Sequence, residues 1–312
     1  MESIINFSVQ SSLEAQQRDE AKRRFYSIIE KFTALKDGIN GGYNRCLLVQ
    51  YTYEYSLSVE SKDMFLYGNE DIDFSDKHLE KQLREAFIDF ADYLLNNFFF
   101  LLQRTLEGEQ EFTGTPDRIS SLRGACLIQD RHRCVISRKF DFKKTAIARN
   151  DDGALLKADL QAFETLKVMY ILLHSLMKIE DDSELTSTKK AVIAILNVFN
   201  SDVAHVIEGC EIDRSFNATS LTPTLHSLFE DFQILFEPVS TELPHTYTIS
   251  SHLPPLLLRD SKLPVTRELY LSEDRSIDPS LPRLLAIHSA IAHILHLFAA
   301  GEYIDRLLRD QE

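Results

Sequence analysis

An asparagine, eight intervening residues and a histidine make up the most informative stretch of this chain, from Asn217 to His226. Thr222 suits a helix N-cap, and Pro223 suits the first helical position, where its missing amide hydrogen costs nothing. Leu225, Leu228, Phe229 and Phe232 then recur at helical spacing and form an apolar face. His226 falls beside that face, on the same side of the helix as Glu230. An imidazole placed one turn inside a helix could hold a divalent ion, or could simply pair with Glu230. The asparagine ahead of the helix could support a turn, a common role for its type. His293 and His296, three apart, have ligand-like spacing, but no carboxylate or third histidine joins them in sequence, which favours a structural role.

Stepping along the rest of the 312 residues, the four cysteines (Cys46, Cys126, Cys134 and Cys210) are scattered and form no CxxC pair. That pattern is neither a disulfide framework nor a closed zinc site, and fits a reducing compartment. The net charge of −14 argues against wholesale binding of a phosphate backbone. Locally the balance reverses: residues 123–149 hold eight bases (Arg123, Arg131, Arg133, Arg138, Lys139, Lys143, Lys144 and Arg149) against Asp130 and Asp141. Arg131, Arg133, Arg138 and Lys139 are the candidates for contacting nucleic acid; the alternative is a solvated face beside an acidic surface. The N-terminus lacks the layout of a secretory signal, and the apolar run Phe98-Phe99-Phe100-Leu101-Leu102 is too short to cross a bilayer. No membrane association is expected, and the location is expected to be the nucleus or cytoplasm.

The elements that must position these residues are mostly helical, as only 10 glycines and 9 prolines suggest. Phe25, Ile28, Ile29, Phe32 and Leu35 form one apolar stripe, and Leu79, Leu83, Phe87, Phe90, Leu94 and Phe98 another on a helix over residues 76–104. Residues 43–57 are ambiguous between helix and strand. The polar run 107–117 marks a boundary between a helical N-terminal region, residues 1–118, and a second domain, residues 119–312. In that second part, a short helix is expected to about residue 130 and a brief strand at Cys134-Val135-Ile136. A buried strand or short core helix follows at 166–173, and a helix at 189–200. Beyond the helix at 223–231, strands are expected near 233–236, 246–250 and 265–271, with a helix at 282–299 and a last short one at 302–309.

Asn217 followed at nine positions by His226 on a short helix resembles the second half of an HNH nuclease finger. More closely, the chain resembles the HNH nuclease domain of fungal HNH endonuclease-like proteins. The pieces that carry the likeness are Arg131-His132-Arg133-Cys134-Val135-Ile136-Ser137, Leu172-Leu173-His174-Ser175-Leu176, Leu196-Asn197-Val198-Phe199-Asn200 and Phe216-Asn217 through His226-Ser227-Leu228-Phe229. It continues through Phe232-Gln233-Ile234-Leu235-Phe236-Glu237-Pro238 to Glu302-Tyr303-Ile304-Asp305, and Tyr51-Thr52-Tyr53-Glu54-Tyr55 is similar to the family's leading helical region. The resemblance implies an α+β, helix-rich fold with a His-Me finger (ββα-metal) core behind a helical N-terminal region. It also implies hydrolysis of nucleic-acid phosphodiesters with a divalent metal ion (Mg, Mn or Zn).

By that resemblance Asn217 fixes the loop and orients the base, and His226 binds the metal. The family's base is a histidine preceded by alanine; here the run is Met169-Tyr170-Ile171-Leu172-Leu173-His174-Ser175, so Tyr170 takes the base position. A phenol, with an unperturbed pKa of about 10, keeps its proton at neutral pH and is a poor base beside an imidazole at about 6.5. His174 is an alternative base on the same side of a strand, but about 13 Å further along at strand rise. His205 is given no catalytic role by the resemblance. Two functions follow: a metal-dependent nuclease with weakened or lost activity, or an HNH-fold interaction module that binds a protein partner through the N-terminal helices. A helical protein unrelated to nucleases would instead keep Tyr170, Asn217 and His226 far apart.

Overall fold

The three- and four-residue apolar spacing seen before residue 100 does fold as helix. The computed structural model describes residues 13–34, 43–66, 77–102, 116–144, 162–172, 187–207, 209–258, 263–272 and 275–297. In chain order the elements are α1 (Ala15–Ala34), α2 (Arg45–Glu54), α3 (Val59–Leu66), α4 (Lys77–Leu94) and α5 (Pro116–Gln129), then β1 (Phe140–Asp141), β2 (Phe163–Glu164) and β3 (Lys167–Tyr170). After these come α6 (Ser187–Phe199), α7 (Val203–Val206), β4 (Ala218–Leu221), α8 (Pro223–Glu230), β5 (Ile234–Pro238), β6 (Thr246–Ser251), β7 (Val265–Glu268) and α9 (Pro282–Leu297). This is a helix-rich α+β fold with a helical N-terminal region.

The chain forms two compact units, neither continuous in sequence. The first takes residues 1–108, 179–206 and 293–312; the second takes 109–178 and 207–292.

In the first unit the apolar stripe of α1 builds the core. Phe25 meets Tyr53 of α2 at 4.7 Å between ring centroids, with Phe65 of α3 and Phe87 of α4 at 6.4 and 6.2 Å. Offset and edge contacts of this kind add to the area that the rings bury. The ambiguous residues 43–57 are helical because Asn44 caps α2, its Oδ1 accepting from the Leu47 amide at 3.1 Å. The long helix after residue 76 does not run unbroken: it passes into a π-helical turn at Leu95–Phe99, where Phe98 packs on Phe199 of α6 at 5.7 Å. One buried carboxylate anchors the first turn of α1. Asp63, only 2% exposed, accepts from Arg18 Nε at 2.7 Å, Arg18 Nη2 at 2.8 Å and the Leu13 amide at 2.8 Å.

In the second unit the expected strand at Cys134–Val135–Ile136 is instead a turn. Residues 135–137 form the turn, and Arg131, His132 and Arg138 on either side of it take positive φ values of 53°, 54° and 62°. The turn closes through Cys134 N to Lys139 O at 2.9 Å and Arg138 N to Cys134 O at 3.0 Å. Cys134, Val135 and Ile136 are all fully buried, so the apolar run marks burial and not extension. The 166–173 ambiguity resolves as strand over Lys167–Tyr170, while residues beyond 172 are outside the described set. β5, β6 and β7 form an antiparallel meander at the expected places, and β1 pairs with β2 in a short parallel ladder. The expected final helix at 302–309 lies outside the described residues.

Candidate functional site

β3 and β4 pair antiparallel in the register Lys167↔Leu221, Val168↔Ser220, Met169↔Thr219 and Tyr170↔Ala218. The chain turns directly from β4 into α8, which packs on β3. Two antiparallel strands followed by a helix give the ββα order that the sequence implies. Alternation along β3 places Val168 and Tyr170 on one face, where they cluster with Ala218 and with Leu122 and Cys126 of α5. Lys167 and Met169 take the other face. β4 is buried along all four residues, and Asp130 at the end of α5 fixes it by accepting from the Ser220 amide at 2.9 Å.

Asn217 stands just ahead of β4 and is fully buried. Its Oδ1 accepts from the Leu172 amide at 2.9 Å, and its Nδ2 donates to Leu172 O and Ile212 O, both at 3.1 Å. Its own carbonyl accepts from Ile171 N at 2.8 Å. The side chain thus imitates a strand backbone, carrying the ladder two residues past Tyr170 and tying it to the turn at Gly209–Asp213. Tyr170, 7% exposed, donates its hydroxyl proton to Asp213 Oδ1 at 2.9 Å. Tyr170 and Asn217 therefore sit together at one end of the ladder.

His226 lies with a different set of neighbours. Thr222 occupies the N-cap position of α8 with an extended backbone but forms no side-chain capping bond, and Pro223 fills the first turn. His226 Nδ1 approaches Glu230 Oε2 at 3.6 Å, with side-chain exposures of 12% and 18%. Burial, reinforced by the charge of Lys167, pushes the His226 pKa down to about 4. Burial first, then Asp231, raises the Glu230 carboxyl, while Lys167 lowers it. At neutral pH the ring is uncharged, so the 3.6 Å contact is not an ion pair, and a neutral imidazole beside a carboxylate is a pair of metal donors. Lys167, which acts on both, begins β3; Tyr170 ends it, roughly 10 Å away at strand rise. Among the described residues no group of three or more His, Cys, Asp or Glu side chains gathers as a metal site.

The basic candidates are engaged within the second unit. Arg131 and Arg138 both lie over the Tyr270 ring, at 4.7 and 4.3 Å from its centroid. Arg138 also donates to the Glu268 carbonyl, and burial lowers its pKa. Arg133 stacks on Phe140 at 3.8 Å, and Lys139 pairs with Glu164 at 2.8 Å. Cation–π contacts use the faces of these guanidiniums and leave edge N–H groups for other partners. His174 lies outside the described residues.

Asp130, Lys167 and Asp213 belong to this site yet have no sequence signal of type or spacing. Asp130 is fully buried, and burial raises its pKa to about 7. A carboxyl whose folded pKa is raised contributes stability below its unfolded pKa and loses it as pH climbs through the folded value. Asp130→Asn keeps an oxygen for the Ser220 amide and removes this loss, so its melting temperature should gain on the natural chain by several degrees between pH 4 and pH 8. Parallel pH dependence in thermal melts of the two would refute the assignment. His226 and His288 work in the opposite sense. His288, stacked on Phe229 at 3.8 Å and bonded to its carbonyl at 3.0 Å, is pushed down to about 3 by burial. Both histidines remove stability as pH falls below about 6.5.

Residues 134–237 match the family model described as HNH endonuclease. The protein contains an HNH endonuclease domain. The match covers both strands of the finger, α8, and the positions of Tyr170, Asn217 and His226; Arg131 and Arg133 fall just before it. HNH domains generally depend on a divalent metal and act on nucleic acid. No curated protein and no solved structure matches the chain. No helix among the described residues is long and apolar enough to cross a membrane.

Proposed function

We propose that this HNH domain binds nucleic acid and a divalent ion and hydrolyses phosphodiesters weakly or not at all. The observation that carries the reading is Tyr170, which stands at the family's base position with its hydroxyl proton directed to Asp213. A phenol at neutral pH cannot accept a proton from water as a neutral imidazole can. His226 and Glu230 would hold the ion, with phosphate and water oxygens completing its shell, and Asn217 holds the loop after β3 in place. Such an ion, when bound, stabilises negative charge on the scissile phosphate and the leaving oxygen. The neutral state of His226 supports this use, since a protonated imidazole offers no lone pair.

The second reading, a non-cleaving HNH-fold module that recognises a partner, draws on the same Tyr170 and on the acidic net charge of −14. Nicking of supercoiled DNA and of a structured RNA, with each metal in turn, separates the two. Slow cleavage that disappears with a chelator and in His226→Ala supports the weakened nuclease. No cleavage above buffer, with a metal-induced rise in melting temperature that His226→Ala abolishes, supports the non-cleaving module with its metal donors intact. Cleavage at equal rates by the natural chain and His226→Ala would exclude the finger as its source.

A further inference from the structure

The contact between Tyr170 and Asp213 joins two segments 43 residues apart, and the chain on either side of the carboxylate is held in place. Ile212, the preceding residue, is tied by its carbonyl to Asn217 Nδ2 at 3.1 Å. The following residue, Arg214, pairs with Glu211 at 2.7 Å and with Asp278, and its carbonyl accepts from the Asn217 amide at 3.0 Å. Ser215 adds a bond to the Asp278 carbonyl at 2.9 Å. A carboxylate so framed is pre-organised, because its neighbours need not move when its partner changes.

The partner's reach matters. A phenol carries its oxygen about 2 Å farther from Cβ than an imidazole carries its distal nitrogen, most of one hydrogen-bond length. The Tyr170 hydroxyl therefore stands within about 1 Å of where a water bonded to an imidazole at this position would stand. We propose that Asp213 is a positioning residue for the oxygen that faces position 170. In this chain that oxygen is the Tyr170 hydroxyl; with an imidazole at 170 it is the attacking water, held between ring nitrogen and carboxylate. The inference rests on the nuclease reading above and adds to it: Tyr170 fills the water's place as well as removing the base.

Cys126, Glu211 and Arg214 do not compete for this role. Cys126 of α5 is buried in the same cluster, and burial raises its thiol pKa, so it stays neutral. Glu211 and Arg214 pair with each other.

The test compares Tyr170→His with Tyr170→His/Asp213→Asn in the full chain. The introduced imidazole is titrated by NMR, and kcat and KM are measured on a nicked-plasmid assay with Mn. A carboxylate within about 4–6 Å favours the imidazolium, so the imidazole should titrate at least half a pH unit higher with Asp213 than with asparagine. Asp213→Asn should also lower kcat at least tenfold with KM unchanged. Identical titration in the two proteins overturns the proposal. A titration difference without cleavage in either upholds Asp213 as the partner and counts against the nuclease reading itself. Should Tyr170→His fail to fold, thermal melts of Tyr170→Phe, Asp213→Asn and the double variant decide. Non-additive losses support the pairing, and additive ones overturn it.

Discussion

Tyr170→His is expected to raise divalent-metal-dependent cleavage by about 10²–10⁴ over the natural chain, the usual worth of a positioned general base. The expectation rests on the proposed roles of Asn217, beside this position, and of His226 and Glu230, nearer to Lys167. Asn217 holds both the N–H and the C=O of Leu172, so the strand end that carries residue 170 is fixed. His226 and Glu230 are the proposed metal donors on α8. Replacing a phenol by a smaller ring beside Leu122, Cys126 and Ala218 leaves some space, a modest cost in stability that water at the Asp213 end offsets. The measurement is the initial rate of plasmid nicking with metal in excess, at equal folded fraction by circular dichroism. A folded Tyr170→His protein that binds metal and DNA yet cleaves no faster would refute the view that the base position limits this domain.

Asn217→Ala is expected to cost about 3–5 kcal/mol, a large share of the 5–15 kcal/mol that a domain has to lose. The side chain is fully buried and makes three hydrogen bonds, each to the backbone of a buried residue. Truncation removes the bonds and leaves the Leu172 amide, the Leu172 carbonyl and the Ile212 carbonyl short of partners, the expensive way to lose a hydrogen bond. Asn217→Asp should be no milder. It keeps an acceptor for the Leu172 amide but turns a donor into an anionic oxygen facing two carbonyls. Urea unfolding followed by circular dichroism reads the effect as a fall in midpoint at unchanged slope. A loss below about 1 kcal/mol in either variant would mean that the loop does not depend on this amide.

What the sequence disclosed, and what it hid, follows from how each element is buried. The stripe of Phe25, Ile28, Ile29 and Phe32 is legible because α1 buries one face only, and periodicity reports one-sided burial. β4 is illegible because Ala218, Thr219, Ser220 and Leu221 are all buried; small and polar types packed on both faces leave no alternation to read. Cys134, Val135 and Ile136 misled for a related reason, as three adjacent buried apolar residues look extended whatever their backbone does. The positive φ angles at Arg131, His132 and Arg138 that make the turn involve no glycine to announce it. Asn217 and His226 are singled out by the spacing of a known finger. Asp213 could not be, because its meaning lies in a bond to a residue 43 positions away. The basic run is legible as a local excess of positive residues, but the faces of Arg131, Arg133 and Arg138 are taken up by Tyr270 and Phe140, which composition does not reveal.

The interleaved path of the two units decides how the protein can be dissected. The chain leaves the second unit after residue 178, contributes residues 179–206 to the first, and only then returns to lay β4 against β3. Cutting the gene near residue 118 would thus orphan α6, whose Val192, Ile195, Leu196 and Phe199 are buried in the intact chain. A fragment starting there would carry that greasy surface into solution and invite aggregation. On the ribosome, likewise, β3 must wait for its partner until the whole detour has been synthesised, so the finger closes late.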